Sequence, residues 1–457
     1  MSADRKLSAA EQEFLKNYLE ALTAEKIRWI ILRNYEDFPE KIGHDLDLFI
    51  PRAELDRATG VFRRLLKEKS GRVFIVHERD YFRDIRFTLE DHRPPQIITL
   101  DLYHGAFTWH GLPYLEEEVL IESARLFRGL RVPRPAHEAL NLALASILWG
   151  SFFKERYQTR IAELLSDSEE RHEFDSCFFR AFGPGLGLPF DPSFTNIPKK
   201  EAVRASAKAF RLALKREHFR QRPWRTLCQT ARYWLTELQT LRDPRGISVA
   251  VLGPDGAGKS TLLAAIERDL ELLFGEVQRH HWRPQIIPDV GVLLRRREAS
   301  DAPNVNPHGQ TPHSPVVSFL RLLYYLADYW IGYFPRVLKR KAQVHLVLFD
   351  RYAPDMECDP RRYRLNLPPR MLHFLCGLAP EPDFSFFLIA DPETVAKRKG
   401  EVSVEKAAEL VAHYRKAAGE RHGRFAVDAA QPVDKVIEQV ESRICEFLLE
   451  RESKHQN

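Results

Sequence analysis

The residues most able to do chemistry are Gly253-Pro-Asp255-Gly256-Ala257-Gly258-Lys259-Ser260-Thr261, which fit the spacing G-x-x-x-x-G-K-[ST]. Glycines at these places let the backbone curl until several N–H groups face one centre. A helix starting directly after the turn adds the positive end of its dipole. The ligand suited to such a cradle is an oligophosphate. Lys259 would reach the β- and γ-phosphates of a nucleotide, and the Ser260 hydroxyl would ligate Mg2+. The motif specifies phosphate binding and leaves the second substrate open.

A second constellation lies in Gly43-His-Asp45-Leu-Asp47-Leu-Phe-Ile. In a strand, carboxylates at i and i+2 share one face, while Leu46 and Leu48 point the other way. Thr99-Leu-Asp101-Leu repeats the pattern in another strand-like run. Three carboxylates on adjacent strands could hold Mg2+ ions and position a nucleoside triphosphate. The plain alternative is solvation of an edge strand.

The elements around these residues follow from pattern. Ser8-Ala-Ala-Glu11 is a capping box opening a helix to about Leu22. Strands are predicted at Arg28–Leu32, Asp45–Ile50, Val73–Val76, Tyr81–Leu89 and Ile97–Tyr103, with a helix over Arg52–Lys69. Leu115 to about Leu165 reads as mostly helical, with a break at Val132-Pro-Arg-Pro135. Phe182–Pro198 reads as loop. From Gly246 the texture changes to near-continuous apolar runs separated by helical stretches: Ile247–Leu252, His345–Phe349, Phe384–Ala390 and Phe425–Val427. That alternation predicts a parallel sheet covered on both faces.

Composition places the chain among globular proteins: 457 residues, 44% hydrophobic and 29% charged. The first residues are polar, with no apolar segment of a secretory leader. Val316–Phe334 has the length of a membrane span, but Arg321 and Asp328 interrupt it, so an aromatic-rich core helix is expected. The five cysteines form no CxxC, and a cytoplasmic location is expected. Of a net charge of +5, Lys199–Arg245 carries a local +9, with 13 Lys/Arg against 4 Asp/Glu. Leucines and tryptophans interleave with those charges. A packed helical linker is the leading reading, and nucleic-acid binding is the lesser one.

The residues from about 246 onward resemble the thymidylate kinase family of nucleoside monophosphate kinases. The resemblance rests on the loop with Asp255, on Phe349-Asp350-Arg351-Tyr352, on Pro382-Asp383 through Asp391-Pro392-Glu393, and on Lys397-Arg398-Lys399, where that family's lid begins. It implies ATP as donor, Mg2+ held by Ser260 and Asp350, a phosphate clamp by Arg351, and lid charge from Arg398. The match has departures. Where the family carries Ala-Asp-Arg, this chain reads Ala327-Asp328-Tyr329. His280-His-Trp-Arg-Pro284 replaces the acceptor stretch, and Ala302–Pro315 is an added loop. Residues 10–165 resemble the nucleotidyltransferase fold of the DNA polymerase β superfamily, with Asp45, Asp47 and Asp101 as metal carboxylates. Leu32-Arg33-Asn34 stands where that superfamily has Gly-Ser or Gly-Gly, so either Arg33 replaces a backbone phosphate cradle with a side-chain clamp or the site has kept the fold and lost catalysis.

The expected architecture is α/β. An α+β nucleotidyltransferase-like domain covers 1–165, a basic helical linker 166–245, and a doubly wound P-loop domain 246–457. The expected activity is phosphoryl transfer from ATP to a nucleotide or to a small sugar or phosphorylated acceptor. A dTMP kinase proper and a nucleotide-sensing scaffold are the alternatives. A homodimer is compatible with all three.

Overall fold

The computed structural model describes residues 5–90, 95–150, 157–184, 186–187, 200–288, 311–399, 403–419 and 423–456, with backbone only at 146 and 397–399. It is a mixed α/β protein in two compact units. The first holds Met1–Asp91 and Gln96–Gln239, and the second holds Thr240–Asn457.

In the first unit, Ser8 caps helix α1 (Ala9–Ala24) with the reciprocal Glu11 bond of a capping box. Five strands follow, β1 (Ile30–Ile31), β2 (Asp45–Phe49), β3 (Arg72–Glu78), β4 (Phe82–Thr88) and β5 (Ile98–Tyr103), with α2 (Leu55–Glu68) between β2 and β3. Their order is β1-β2-β5-β4-β3. β2 and β5 are parallel, and the other pairs are antiparallel. The period of two divides the sheet's faces. Leu46, Leu48, Leu100 and Leu102 enter a core with Phe14, Tyr18 and Phe62 of α1 and α2. The intervening residues Asp45, Asp47, Thr99 and Asp101 therefore face the other side.

The chain continues through a hairpin of β6 (Ala106–Trp109) and β7 (Leu112–Glu116), then α3 (Pro135–Gly150), α4 (Ser168–Phe182), α5 (Lys200–Gln221) and α6 (Pro223–Arg242). The stretch after Leu115 is less helical than its pattern suggested. Arg125–Phe127 pairs with Leu130–Val132 as a second small hairpin. Arg128 and Gly129 both take positive φ, 49° and 84°, as do His110 and Gly111 in the first hairpin, 49° and 80°. Two residues of positive φ give the tight turn whose twist matches paired strands.

The basic segment is packed rather than extended. Val203, Ala207, Phe210 and Leu214 of α5 share a core with Phe174 and Phe178 of α4 and Leu144 and Leu148 of α3. Many of its charges are already paired: Arg232 with Asp80 at 2.6 Å, Glu237 with Arg79 at 3.3 Å, and Arg225 with Glu116 at 3.6 Å.

The second unit is built on a five-stranded sheet of β8 (Ile247–Leu252), β9 (Val277–His280), β10 (Leu346–Asp350), β11 (Phe384–Ile389) and β12 (Arg424–Asp428). The order is β9-β10-β8-β11-β12, and every pairing is parallel. β8, first in sequence, lies in the middle. The chain fills one side of it, then crosses to the other, so the C-terminal end of β8 is where the connections diverge. Crevices for ligands form at such points. All six residues of β8 and all six of β11 are buried, which is why their sequences read as continuous apolar runs. Helices α7 (Lys259–Phe274), α8 (Pro315–Gly332), α9 (Pro392–Lys399), α10 (Val404–Ala418) and α11 (Val433–Gln456) connect or follow the strands.

Helix α8 departs from the expected core helix. It buries Leu322, Tyr325, Leu326 and Tyr329 but exposes Val316, Leu320, Trp330 and Ile331. Among the described residues, no helix is long and apolar enough to cross a membrane.

Candidate functional site

The glycine-rich turn leaves the end of β8 and enters α7. Gly253, Gly256 and Gly258 take φ of 147°, 83° and 92°, conformations that cost a side-chain-bearing residue strain. A Cβ on Gly253 would also sit 2.9 Å from the Leu388 carbonyl oxygen. Gly253→Ala is therefore expected to destabilise the unit by about 1–3 kcal/mol. An unchanged urea midpoint would contradict this.

Lys259 opens α7, and its Nζ donates to the carbonyls of Gly253 and Pro254 at 2.9 and 2.8 Å. Burial, aided by the neighbouring Arg351 charge, pushes its ammonium down to about 8. The opposing charge of Asp255, 3.8 Å away, limits the shift. A buried cation favours a ligand that brings negative charge. Ser260 and Thr261 are exposed beside it, and Ala257 is buried.

Two residues of the adjacent strand end reach the same place. Asp350 closes β10 level with Val251 of β8. Its Oδ1 is buried and has no hydrogen-bond partner among the described residues, and its other oxygen lies 3.7 Å from Arg279. Arg351 follows with a positive φ of 79° and is buried. Its guanidinium binds Asp255 of the turn, and Asp355 at 2.7 Å. Asp355 also accepts from Tyr363 at 2.7 Å and Tyr414 of α10 at 2.6 Å. Burial alone would raise the Asp355 carboxyl; Arg351 and the two hydroxyls hold it below its ordinary value. Arg351 thus ties the glycine-rich turn to the strand end, and clamping a ligand would require it to give up one of these partners. Arg362 bonds the other Asp255 oxygen at 2.6 Å and is more exposed than Arg351. Sequence reading missed Arg362, because it sits in an irregular segment with no motif around it.

Other expected residues fall elsewhere. Pro382-Asp383 lies at the opposite end of the sheet, where Asp383 accepts from Ser248 N at 2.7 Å and pairs with Lys341 at 2.8 Å, a structural clasp. The side chain of Arg398, in α9, and residues 302–310 of the added loop lie outside the described residues. His280 stacks on Phe349 at 5.3 Å, and burial pushes its imidazole down to about 4. Arg283 is buried against Asp328 at 2.9 Å. Asp328 also accepts from the N–H groups of Gln285 and Ile287, at 2.8 and 2.6 Å. Tyr329 is buried and donates to the Trp282 carbonyl. The segment after β9 is therefore fastened to α8 by internal bonds.

The first unit carries the second candidate centre. Parallel pairing of β2 and β5 puts Asp47 opposite Asp101, and Asp84 of β4 lies opposite Asp101 on its other side. One oxygen each from Asp45, Asp47 and Asp101 lies within 4.8 Å of the others. Burial pushes the Asp47 carboxyl up to about 6, against the pull of Arg33. Burial, then Asp84, Asp45 and Asp47, push Asp101 well above its ordinary value. Arg33 grips Asp47 through Nε and Nη2 at 2.5 and 2.8 Å, and Arg86 holds Asp84 at 2.7 Å. These carboxylates crowd together at a net negative centre, the donor set of a hard divalent cation. Asp84 and Arg86 were not singled out from sequence, though their alternation in β4 follows the same period of two.

Compared with protein-family models and with curated proteins, the sequence matches none.

Proposed function

We propose that the second unit is an ATP- and Mg2+-dependent phosphotransferase of the thymidylate kinase type, with a doubly wound P-loop architecture. The observation that carries this reading is the convergence at one sheet end of a three-glycine turn, a buried Lys259 and Asp350. The turn's N–H groups and Lys259 would cradle the donor phosphates. Asp350, whose Oδ1 has no partner among the described residues, and the exposed Ser260 hydroxyl would hold Mg2+. The metal would neutralise charge on the transferring group. Arg362 and Arg351 supply further positive charge beside the turn. The acceptor is a nucleotide or a small sugar or phosphorylated compound.

Calorimetry with Mg·ATP tests the binding half of the reading. Wild-type protein should bind, and Lys259→Ala should bind at least tenfold more weakly, the loss of about one charge-assisted contact. Equal affinities would contradict it. A scaffold that binds without transfer would pass this test, but no acceptor would raise its ADP formation.

The first unit is proposed to be a nucleotidyltransferase-like domain whose Asp45, Asp47 and Asp101 hold divalent metal for a nucleoside triphosphate. The support is their shared face and mutual approach. Asp45→Asn with Asp47→Asn should remove Mg2+-dependent triphosphate binding from this unit, read by calorimetry in a Lys259→Ala background. Unchanged affinity would sink the assignment.

A further inference from the structure

We propose that His137, Glu173 and Cys177 form a transition-metal site of the kind that takes Zn2+. The three lie in the first unit, away from the carboxylates of β2 and β5 in sequence and in donor chemistry. Glu173 and Cys177 are one turn apart on α4, so both side chains leave the same helix face. His137 comes from the first turn of α3.

The distances suit one ion. Cys177 Sγ lies 3.7 Å from His137 Nε2 and 3.2 Å from Glu173 Oε1, and Nε2 lies 3.3 Å from Oε1. Ligands bound to Zn2+ at the usual lengths and the tetrahedral angle stand about 3.3–3.6 Å apart. Thiolate with imidazole selects zinc or cobalt over Mg2+.

The proton positions also suit it. Ser123 Oγ donates to the Val119 carbonyl at 2.6 Å. A hydroxyl has one proton, so towards His137 Nδ1, 2.8 Å away, Ser123 can only accept. That places the imidazole proton on Nδ1 and leaves a lone pair on Nε2, facing the thiol and the carboxylate. A hydrogen-bonded partner on the far nitrogen is the usual way a metal-binding histidine is oriented. Arg134, 3.7 Å from Glu173 Oε2, steadies the second carboxylate oxygen. Burial lowers the His137 imidazole below its ordinary value and, with Glu173 beside it, pushes the Cys177 thiol up to about 12. The ion would displace that thiol proton to solvent, and no other bond would change. Glu173 is partly exposed, giving a way in. Cys177 also lines a cavity of about 160 Å3, room enough for a water as fourth ligand.

The test is a Co2+ titration of the metal-free full chain, reading the thiolate-to-cobalt absorption band. One equivalent should produce the band. Cys177→Ser should abolish it, His137→Gln should weaken cobalt binding at least about tenfold, and Cys228→Ser should leave it intact. The carboxylates of β2 and β5 have no thiol and cannot give this signal. No band in wild-type protein, or a band that survives Cys177→Ser, overturns the proposal. Should Cys177→Ser fail to fold, alkylation mapping of wild-type protein decides. Zn2+ should protect Cys177 from labelling, and equal labelling with and without Zn2+ overturns the site.

Discussion

Lys259→Ala should lower ATP-dependent turnover by at least about 30-fold, equivalent to ~2 kcal/mol of transition-state stabilisation. The reason lies in where the ammonium sits. It is buried, and it caps the carbonyls of Gly253 and Pro254. Phosphoryl transfer spreads charge over oxygens and asks for positioned cations more than for covalent chemistry. Lys259 is the one cation that the turn itself supplies. Arg351 is committed to Asp255 and Asp355 and is poorly placed to substitute for it. Initial rates of ADP formation measure the effect, with circular dichroism to show that the variant is folded. A variant within a few-fold of wild type would mean that the turn does not bind the reacting phosphates.

The second large effect concerns stability. Asp328→Ala should destabilise the second unit by about 3–5 kcal/mol. Asp328 and Arg283 are among the most buried charges of the chain. Removing the carboxylate takes the counter-charge from the Arg283 guanidinium, which keeps the Ile287 carbonyl at 3.0 Å, and takes the acceptor from the N–H groups of Gln285 and Ile287. A buried charge without its partner costs more than the pair contributed. The urea midpoint of the second unit should fall accordingly. An unchanged midpoint would show that water reaches the pair. The same contacts bear on specificity. Arg283 belongs to the segment that follows β9, and its charge is spent on Asp328. It is therefore not available to grip an acceptor phosphate.

Much of this could be read from residue order. The capping box at Ser8 and Glu11, the alternation in Asp45–Ile50 and the apolar strand Ile247–Leu252 are local signals, and the elements lie where those signals placed them. The approach of Asp101 to Asp45 and Asp47 was legible because period-two patterns aligned in two strands. The two hairpins were missed although Gly111 and Gly129 marked their turns: the helical pattern after Leu115 covered the second, and the strands of the first are only four and five residues long. The Asp255–Arg362 and Asp355–Tyr414 bonds were not legible, because they join residues 107 and 59 positions apart without any repeating pattern. The His137–Glu173–Cys177 group was hidden for the same reason, since only the packing of α3 on α4 unites it. Exposure of half of α8 was hidden too, since an apolar run does not reveal which face is covered.

The reaction proposed at the turn of Gly253–Thr261 is phosphoryl transfer from ATP. Its most direct test is ATP consumption by the wild-type chain with Mg2+, screened against nucleoside monophosphates, sugars and sugar nucleotides, with Lys259→Ala as the blank. At least one of these acceptor classes should accelerate ADP formation in the wild type, and none should do so in the variant. ADP formation that no acceptor raises, or that is equal in both proteins, would contradict it.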